Sequence, residues 1–381
     1  MIVNKPPMGW NSWNTFGADI NEEVVLQSAE ALVSSGLAEA GYQYVVIDDC
    51  WSLKERDSNG RLVPDPQKFP HGMKYIADYI HGLGLKFGMY SCGGLITCGG
   101  YPSSLDREWI DAQTFAEWDV DYLKYDYCFR PRNRKGEDLY RAMGLALANC
   151  GRDIFFAACS WGADETHKWI RTSGADTWRS TEDIFDNWKL IHDIIQHQFE
   201  ILPYGGKGCF NDMDMLIIGM NGKGHVGLGG CTPNEYALHF AAWCLFQSPL
   251  MIGCDVRNLG DETLHLLKNP MLIAINQDEK CAQTYTLLTS REWWAKDKEE
   301  FFTAVRMLSN GDLAIACFNL SDKTRSINCT LNDMGLGVSA HRKLRLKNCF
   351  TEEVTFSQNG VMIVELEPHT CVIYRAECVM E

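Results

Sequence analysis

Positive charge is scarce in this sequence: 35 Lys and Arg residues stand against 50 Asp and Glu residues, and the formal net charge is -15 at pH 7. Proteins bind nucleic acid by neutralising phosphates with Lys and Arg, and no basic stripe offsets the general repulsion here. This balance argues against a nucleic-acid partner. It favours a neutral or weakly charged small-molecule substrate.

Long apolar runs are absent as well, since none approaches the roughly 20 residues that a membrane-spanning helix requires. The first ten residues, MIVNKPPMGW, show neither the basic region nor the apolar stretch of a signal peptide. We therefore expect a cytoplasmic chain without a membrane partner. Its hydrophobic fraction of 46% and charged fraction of 22% are those of a globular protein that buries a sizeable core.

Two cofactor motifs are missing. No G-x-G-x-x-G follows the first strand-like segment, which argues against a dinucleotide site, and H-E-x-x-H is absent. Because the predicted strand ends also lack histidines at ligand spacing, we expect no metal and no cofactor. A metal-dependent barrel hydrolase stays open as an alternative, since carboxylate oxygens are numerous. Loss of activity in a chelator would reveal it.

Cysteine is abundant, with 16 residues, but many lie inside strand-like apolar runs, as do Cys159, Cys244 and Cys317. A thiol in such a run behaves as a small hydrophobic group. We expect most of the cysteines to be reduced and buried.

Strand-like and helix-like segments alternate through the first two thirds of the chain. Eight short apolar segments end in polar or aromatic residues, at 8–13, 44–49, 86–91, 121–127, 154–159, 175–181, 209–216 and 248–255. Helix-like stretches cover 21–40, 69–85, 104–118 and 182–202. This alternation predicts a closed (β/α)8 barrel, the TIM barrel, over residues 1–280.

After about residue 280 the pattern changes to short alternating strands with Asn-Gly turn signals. The predicted strands are 301–308, 312–320, 343–348, 354–357 and 361–367. Such a pattern is typical of antiparallel sheets. We predict a C-terminal antiparallel β-sandwich domain over residues 281–381.

Carboxylates cluster at the predicted strand ends of the barrel: Asp48, Asp49, Asp126, Asp183, Asp212 and Asp214. Active sites of such barrels form where strands end, and several buried carboxylates need a partner, a metal or a substrate. Aromatic residues accompany them: Trp10, Trp13, Trp51, Tyr90, Tyr125, Trp161 and Trp178. Carboxylates bind sugar hydroxyls and aromatic faces cover the C–H surface of a pyranose, so the combination indicates a sugar site.

Several segments resemble a known family. PPMGWNSWN (6–14), VVIDDCW (45–51), LKYDYC (123–128), TWRSTEDI (177–184), NDMDML (211–216) and NQDE (276–279) are similar to the α-galactosidases and α-N-acetylgalactosaminidases of glycoside hydrolase family 27. The resemblance runs through the whole barrel in order. It implies a retaining exo-glycosidase that removes terminal α-D-galactose by double displacement, with a galactoside as its partner.

Carried over to this chain, the resemblance implies Asp126 as the nucleophile and Asp183 as the acid/base. It implies that the sugar is bound by Trp13, Asp48, Asp49, Tyr90, Lys124, Arg179, Asp214 and Met215. Cys98 and Cys128 match a cysteine pair that is a disulfide in secreted relatives, and the sequence leaves their redox state open. The alternatives are a structural ion pair for the two catalytic carboxylates, helix caps for Asp48 and Asp49, and a supporting role for Asp212.

The loop after the fifth strand bears on specificity. Ser160 and Ala163 resemble the small pair of α-N-acetylgalactosaminidases, where they leave room for an acetamide on C2. The intervening Trp161 is followed by Gly162 rather than by proline, so the loop path can differ. We favour α-galactosidase over α-N-acetylgalactosaminidase. Further alternatives are a β-L-arabinopyranosidase and an inactive carbohydrate-binding protein. Assembly into a homo-oligomer stays open.

Overall fold

The structure is a computed structural model that describes residues 3–288, 300–337 and 342–380. The chain divides into two compact units. The first contains Met1–Asn187, Lys207–Gly230 and Pro249–Leu264, and the second contains Trp188–Gly206, Cys231–Ser248 and His265–Glu381. The predicted division at residue 280 stays a prediction, and the predicted range 281–381 includes residues outside the described part.

Eight parallel strands form the sheet of the first unit. They are β1 (Met8–Asn11), β2 (Tyr44–Val46), β3 (Lys86–Cys92), β4 (Tyr122–Asp126), β5 (Phe155–Cys159), β6 (Thr177–Arg179), β7 (Phe210–Asp212) and β8 (Leu250–Ile252). Their order is β7-β6-β5-β4-β3-β2-β1-β8. The sheet closes just after β7, where the Leu216 N–H donates to the Met251 carbonyl at 2.7 Å.

The barrel interior is filled by side chains from strands and from the segment after β7. Val46, Tyr122, Ala157, Met215 and Met251 form one buried cluster. Burial on both faces explains why strands such as β2, β5 and β8 are continuous apolar runs rather than alternating ones. All eight predicted barrel strands are present.

The helices are α1 (Trp13–Phe16), α2 (Glu22–Ser34), α3 (Leu37–Ala40), α4 (Gly72–Gly82), α5 (Glu108–Glu117), α6 (Gly136–Ala148), α7 (Trp188–Ile201), α8 (Pro233–Leu245), α9 (Asp261–Leu267) and α10 (Pro270–Asn276). Short 3-10 helices cover Gly17–Asp19, Ala163–Lys168, Ile170–Thr172, Leu202–Tyr204 and Val256–Asn258. In the described chain, no helix combines the length and the apolar character that a membrane crossing needs.

Several predicted boundaries were wrong. The first strand ends at Asn11, and Trp13 begins α1. The stretch 21–40 is two helices, because Gly36 takes a left-handed conformation with φ of 78° between them. The stretch 182–202 becomes helical only at Trp188.

The second unit contains two antiparallel sheets. Their strands are β9 (Tyr285–Leu288), β10 (Phe301–Met307), β11 (Leu313–Asn319), β12 (Arg325–Thr330), β13 (Arg342–Asn348), β14 (Val354–Phe356), β15 (Val361–Leu366) and β16 (Thr370–Met380). Six of them pair in the order β14-β13-β16-β11-β10-β9, and β12 pairs with β15. A buried apolar cluster joins the two sheets, including Ile315, Ile327, Leu344 and Met362. The predicted β-sandwich is confirmed, although β9, β12 and β16 were not predicted.

Candidate active site

The carboxyl ends of the barrel strands bring the predicted site residues to one rim. Asp126 is the last residue of β4, Arg179 the last of β6 and Asp212 the last of β7. Asp48 follows β2 by two residues. Because parallel strands of a barrel end on the same face, strand alternation alone gathers these charges.

Asp126 is only 5% exposed. The Tyr90 hydroxyl donates to its Oδ2 at 3.1 Å, and the Tyr127 N–H donates to its Oδ1 at 2.8 Å. The sulfur of Cys98 lies 3.8 Å from Oδ2. One carboxylate oxygen is thus held by the backbone, while the other is oriented by a tyrosine.

Burial raises the pKa of Asp126 to about 6, although Lys124 and the Tyr127 N–H lower it. The negative charge of Asp183 raises this pKa further. Asp126 and Asp183 therefore act on each other electrostatically, as two carboxylates that share one site do.

Lys124 lies two residues before Asp126, on the same face of β4. Its ammonium donates to Asp48 Oδ2 at 2.8 Å, and the Asn11 amide donates to the same oxygen at 2.8 Å. Burial lowers the pKa of Lys124, but Asp48 outweighs it and the pKa stays well above its usual range. The lysine is therefore a permanent cation beside the two carboxylates.

Asp49 is held by the backbone. The Cys50 N–H donates to its Oδ1 and the Gly99 N–H to its Oδ2, both at 2.7 Å. Burial raises its pKa against these two hydrogen bonds. Cys50 itself has a φ of 72°, a strained conformation for a residue with a side chain, as is common at functional sites.

Arg179 is buried and serves two carboxylates. One of its terminal nitrogens donates to Asp183 Oδ1 at 2.8 Å and also pairs closely with Asp214 Oδ2. The side chains of Arg179 and Asp214 are each 4% exposed, whereas that of Asp183 is 57% exposed. Asp183 is therefore the accessible acid of the group.

The pKa shifts of the two carboxylates that contact Arg179 have opposite signs. Burial raises the pKa of Asp183, but Arg179 and Lys124 lower it more, so its pKa lies below the usual range. Burial raises the pKa of Asp214 above its usual range, although Arg179 opposes the shift.

Asp214 also fixes the loop that carries Asp183. Its Oδ2 accepts from the Ile184 N–H at 2.6 Å, and its Oδ1 accepts from the Met215 N–H at 2.7 Å. Its φ of 80° is another strained conformation. Asp212 supports this turn, because its Oδ1 accepts from the Asp214 N–H at 2.9 Å.

The loop after β5 directs Ser160 away from solvent. The Thr166 hydroxyl donates to the Ala163 carbonyl at 2.5 Å, and its oxygen lies 2.6 Å from the fully buried Ser160 hydroxyl. Since Thr166 has a single hydroxyl proton, Ser160 is the donor of this second bond. A Cβ on Gly162 would lie 2.5 Å from the Ser180 carbonyl oxygen, which explains why glycine occupies this position.

The remaining predicted residues have mixed surroundings. Trp13 is half-buried and packs edge-to-face on His225, with ring centroids 5.0 Å apart, and Trp161 is half-buried with a φ of 56°. Met215 belongs to the barrel interior cluster. Cys98 and Cys128 are joined as a disulfide.

The described residues contain one three-residue group of metal-ligand types, formed by Cys98, Asp126 and Cys128. Two of its three sulfur and oxygen donors are the sulfurs of the disulfide, and they lack the thiolate charge that a metal requires. This group therefore does not fit a metal ion.

A cavity lies in the barrel beside Lys124, Arg179 and Asp214. It is lined by Asn11, Tyr122, Lys124, Ala157, Ala158, Cys159, Arg179, Asp212, Asp214, Met215 and Met251. Asn11 and Cys159 were not predicted as site residues. Asn11 could have been found, because it is the polar residue that ends β1. Cys159 was assigned to the core, yet Arg179 donates to its sulfur at 3.8 Å.

Two acidic side chains, a buried lysine and a buried arginine at the carboxyl ends of a (β/α)8 barrel are typical of a barrel hydrolase of the glycosidase type. Residues 5–278 match the family model described as Alpha galactosidase A. Residues 301–376 match that of the Alpha galactosidase C-terminal beta sandwich domain. The chain belongs to the alpha galactosidase A family.

Individual relatives agree with this assignment. The chain is 40% identical to an alpha-galactosidase of Cyamopsis tetragonoloba over 97% of its own length and 85% of the relative's. Alpha-galactosidase I of Mortierella vinacea superposes with a TM-score of 0.89 at 32% identity, covering 98% and 97% of the two chains. An alfa-galactosidase of Saccharomyces cerevisiae solved with raffinose gives a TM-score of 0.85 at 28% identity, covering 98% of each chain.

Proposed function

We propose that this protein is a retaining α-galactosidase that hydrolyses terminal α-D-galactosides, with Asp126 as nucleophile and Asp183 as acid/base. The observation that carries the assignment of roles is the contrast between the two carboxylates. Asp126 is buried and oriented by Tyr90 and Tyr127, whereas Asp183 is open to solvent beside Arg179. A nucleophile needs a fixed direction of attack, and an acid/base needs access to the leaving group and to water.

In the first step, the Asp126 carboxylate attacks the anomeric carbon while the bond to the leaving oxygen breaks. Asp183 gives its proton to that oxygen, and the glycosyl-enzyme forms. The ester removes the negative charge of Asp126. The electrostatic repulsion between Asp126 and Asp183 that exists in the free site is therefore lost.

In the second step, the ionised Asp183 takes a proton from water, and the water oxygen attacks the anomeric carbon. The Asp126 carboxylate leaves, and galactose is released with its original configuration. Arg179 stabilises the ionised form of Asp183 that this step needs, through the 2.8 Å contact between them.

Asp48, Asp49 and Lys124 supply the sugar-hydroxyl binding of this site. Asp48 accepts from Lys124 and Asn11 through Oδ2, and both carboxylates carry fixed hydrogen bonds that hold their orientation. A buried acceptor of this kind discriminates against a sugar that lacks its hydroxyl partner, because the carboxylate is then left unpaired.

The buried hydroxyl of Ser160 supports galactosides over N-acetylgalactosaminides. Ser160 donates its only hydroxyl proton to Thr166, so that proton is not available to an acetamide carbonyl. The resemblance of Ser160 and Ala163 to the small pair of α-N-acetylgalactosaminidases therefore does not carry the same hydrogen bond. Raffinose, the ligand named for the Saccharomyces cerevisiae structure, is a natural candidate substrate.

Hydrolysis of paired nitrophenyl glycosides tests this function. We expect the α-galactoside to be cleaved more than about a hundredfold faster than the N-acetyl-α-galactosaminide, and Asp126→Asn to lower kcat about a thousandfold or more. An inactive wild-type protein, or equal rates on the two glycosides, would contradict the proposal.

A further inference from the structure

A strongly basic segment begins three residues after the proposed nucleophile. Residues 129–135, FRPRNRK, contain four cations and no acid in a chain whose net charge is -15. We call these residues the basic rim segment. The cations are Arg130, Arg132, Arg134 and Lys135, and all four side chains are exposed.

The basic rim segment starts at the edge of the catalytic site. The preceding residue, Cys128, is disulfide-bonded to Cys98, whose sulfur lies 3.8 Å from Asp126 Oδ2. The Phe129 carbonyl accepts from the Leu95 N–H at 3.0 Å, which ties the segment to the loop after β3. The first residue of the segment is therefore held beside the nucleophile from two sides.

Two ion pairs hold the rest of the segment in place. Arg130 donates to Asp164 at 2.9 Å, and the other oxygen of Asp164 accepts from the Tyr127 hydroxyl at 2.7 Å. Arg134 binds both oxygens of Asp106, at 2.7 and 3.2 Å. The segment is thus fixed to the loops after β3 and β5, which both start at the rim that carries the site.

The other two cations of the segment, Arg132 and Lys135, are not part of these ion pairs. Neither Arg132 nor Lys135 has an ion pair within the described ranges, and Lys135 is the N-cap residue of α6 without a side-chain capping bond. A helix N-terminus carries partial positive charge, so Lys135 stands where a cation is unfavourable for the helix itself. Phe129, 57% exposed, adds an apolar surface next to the opening.

We infer that the basic rim segment binds a negatively charged leaving group, so that the enzyme prefers galactosides whose aglycone carries a carboxylate or a phosphate. The inference rests on the proposed galactosidase function. The galactosyl ring occupies the pocket lined by the strand-end carboxylates, which repel a negative charge. An anionic aglycone at the rim lies outside that pocket, where Arg132 and Lys135 can attract it.

A matched substrate pair isolates this preference. Oxidation of the reducing-end glucose of melibiose gives a galactosyl gluconate, and reduction gives a galactosyl glucitol, so both aglycones are open chains that differ in charge. We expect kcat/KM at low salt to be about threefold or more higher for the gluconate. Sodium chloride at high concentration should bring the ratio close to one, because salt screens exposed charges.

Two variants assign the effect to the segment. Arg132→Gln combined with Lys135→Gln should lower the gluconate-to-glucitol ratio toward one and leave the glucitol rate unchanged. The control is Lys207→Gln, an exposed lysine that precedes β7 and so lies at the opposite end of the barrel. It should leave the ratio as in the wild type.

Equal rates on the two substrates in the wild type would overturn the inference, as would a ratio that the double variant does not change. Tight binding of the protein to anionic vesicles, lost in the double variant while the ratio stays at one, would assign the segment to a membrane surface and also overturn it. Failure to cleave either substrate would instead contradict the galactosidase function itself.

Discussion

Asp126 and Asp183 must carry one proton between them for the reaction to start. Hydrolysis needs an ionised Asp126 and a protonated Asp183, which is the singly protonated form of the pair. In the free site the pKa of Asp126 is about 6 because of burial, and that of Asp183 lies below its usual range because Arg179 and Lys124 outweigh burial. The pair therefore holds one proton from the low pKa of Asp183 up to about pH 6. In the free site this proton lies on Asp126, and the first step requires it to be on Asp183 instead.

We expect kcat/KM to fall as the pH rises through about 6, because the single proton is lost there. The enzyme should be most active in mildly acidic solution. Tyr90→Phe removes the hydroxyl that donates to the ionised Asp126, so the basic limb of the profile should move to higher pH. A pH profile of kcat/KM with an unmodified nitrophenyl galactoside measures both, and a limb that moves to lower pH in the variant would contradict this account.

The strand-end rule found most of the charged residues of the site, because it depends only on where apolar runs stop. It could not find contacts that depend on side-chain direction, such as the bond between Tyr127 and Asp164. The same limit applies to Ser160. Its position in the sequence predicted a pocket residue, but only the structure shows that its hydroxyl donates a hydrogen bond to Thr166.

At the scale of elements, the predicted helix 182–202 failed at its start for a physical reason. Asp214 accepts from the Ile184 N–H, and the Gly222 N–H donates to Asp186 at 2.6 Å. These long-range bonds stabilise an extended loop from Asp183 to Asp186 against the local helical pattern. They cannot be read from local periodicity, since their partners lie about thirty residues away.

Removal of the Asp214 carboxylate should release this loop. Asp214→Ala leaves the buried Arg179 with the exposed Asp183 as its one direct carboxylate contact among the described residues, so we expect a loss of stability of about 3 kcal/mol and a large drop in kcat/KM. Asp255→Ala removes the more exposed ion pair with Arg257 and should cost about 1 kcal/mol with little effect on activity. Thermal unfolding and steady-state kinetics compare the two variants; equal losses would show that Asp214 has no special role.

Gly162 tests whether the loop after β5 needs its close backbone approach. Gly162 and Gly84 have nearly equal φ, 77° and 78°, but a Cβ meets the Ser180 carbonyl only at Gly162. Both alanine variants should lose about 1 kcal/mol to backbone strain. The clash should cost Gly162→Ala roughly a further 1 kcal/mol of stability or more. We also expect kcat/KM to fall in this variant. If Gly84→Ala lowers activity as much, the close approach is not what matters.

Across the whole molecule, the barrel was easier to predict than the sandwich. Barrel strands such as β5 and β8 are continuous apolar runs, whereas β12 buries only every second residue and has a mostly polar sequence. The eleven-residue β16 escaped notice although it lies between β13 and β11 in the larger sheet, because its partly buried residues give no clear alternation.

The redox state of the 16 cysteines can be tested across the whole chain. The structure has 14 free cysteines, mostly buried, and one disulfide. Burial raises the pKa of the Cys317 thiol to about 12, so buried thiols of this kind should resist alkylation in the folded protein. Cys378, in contrast, is exposed. Mass spectrometry after unfolding should count 14 alkyl groups without a reductant and all 16 with one. A count of 16 without reductant would mean that Cys98 and Cys128 are free thiols.

The assignment of Asp126 and Asp183 to two different roles is the centre of this account, and the anomeric configuration of an azide product tests it most directly. With an activated aryl α-galactoside, Asp183→Gly should still form the glycosyl-enzyme, and azide should release it as the α-galactosyl azide. Asp126→Gly should yield the β-galactosyl azide, because azide then attacks the substrate itself. A β product from Asp183→Gly, or an α product from Asp126→Gly, would show that the two roles are exchanged.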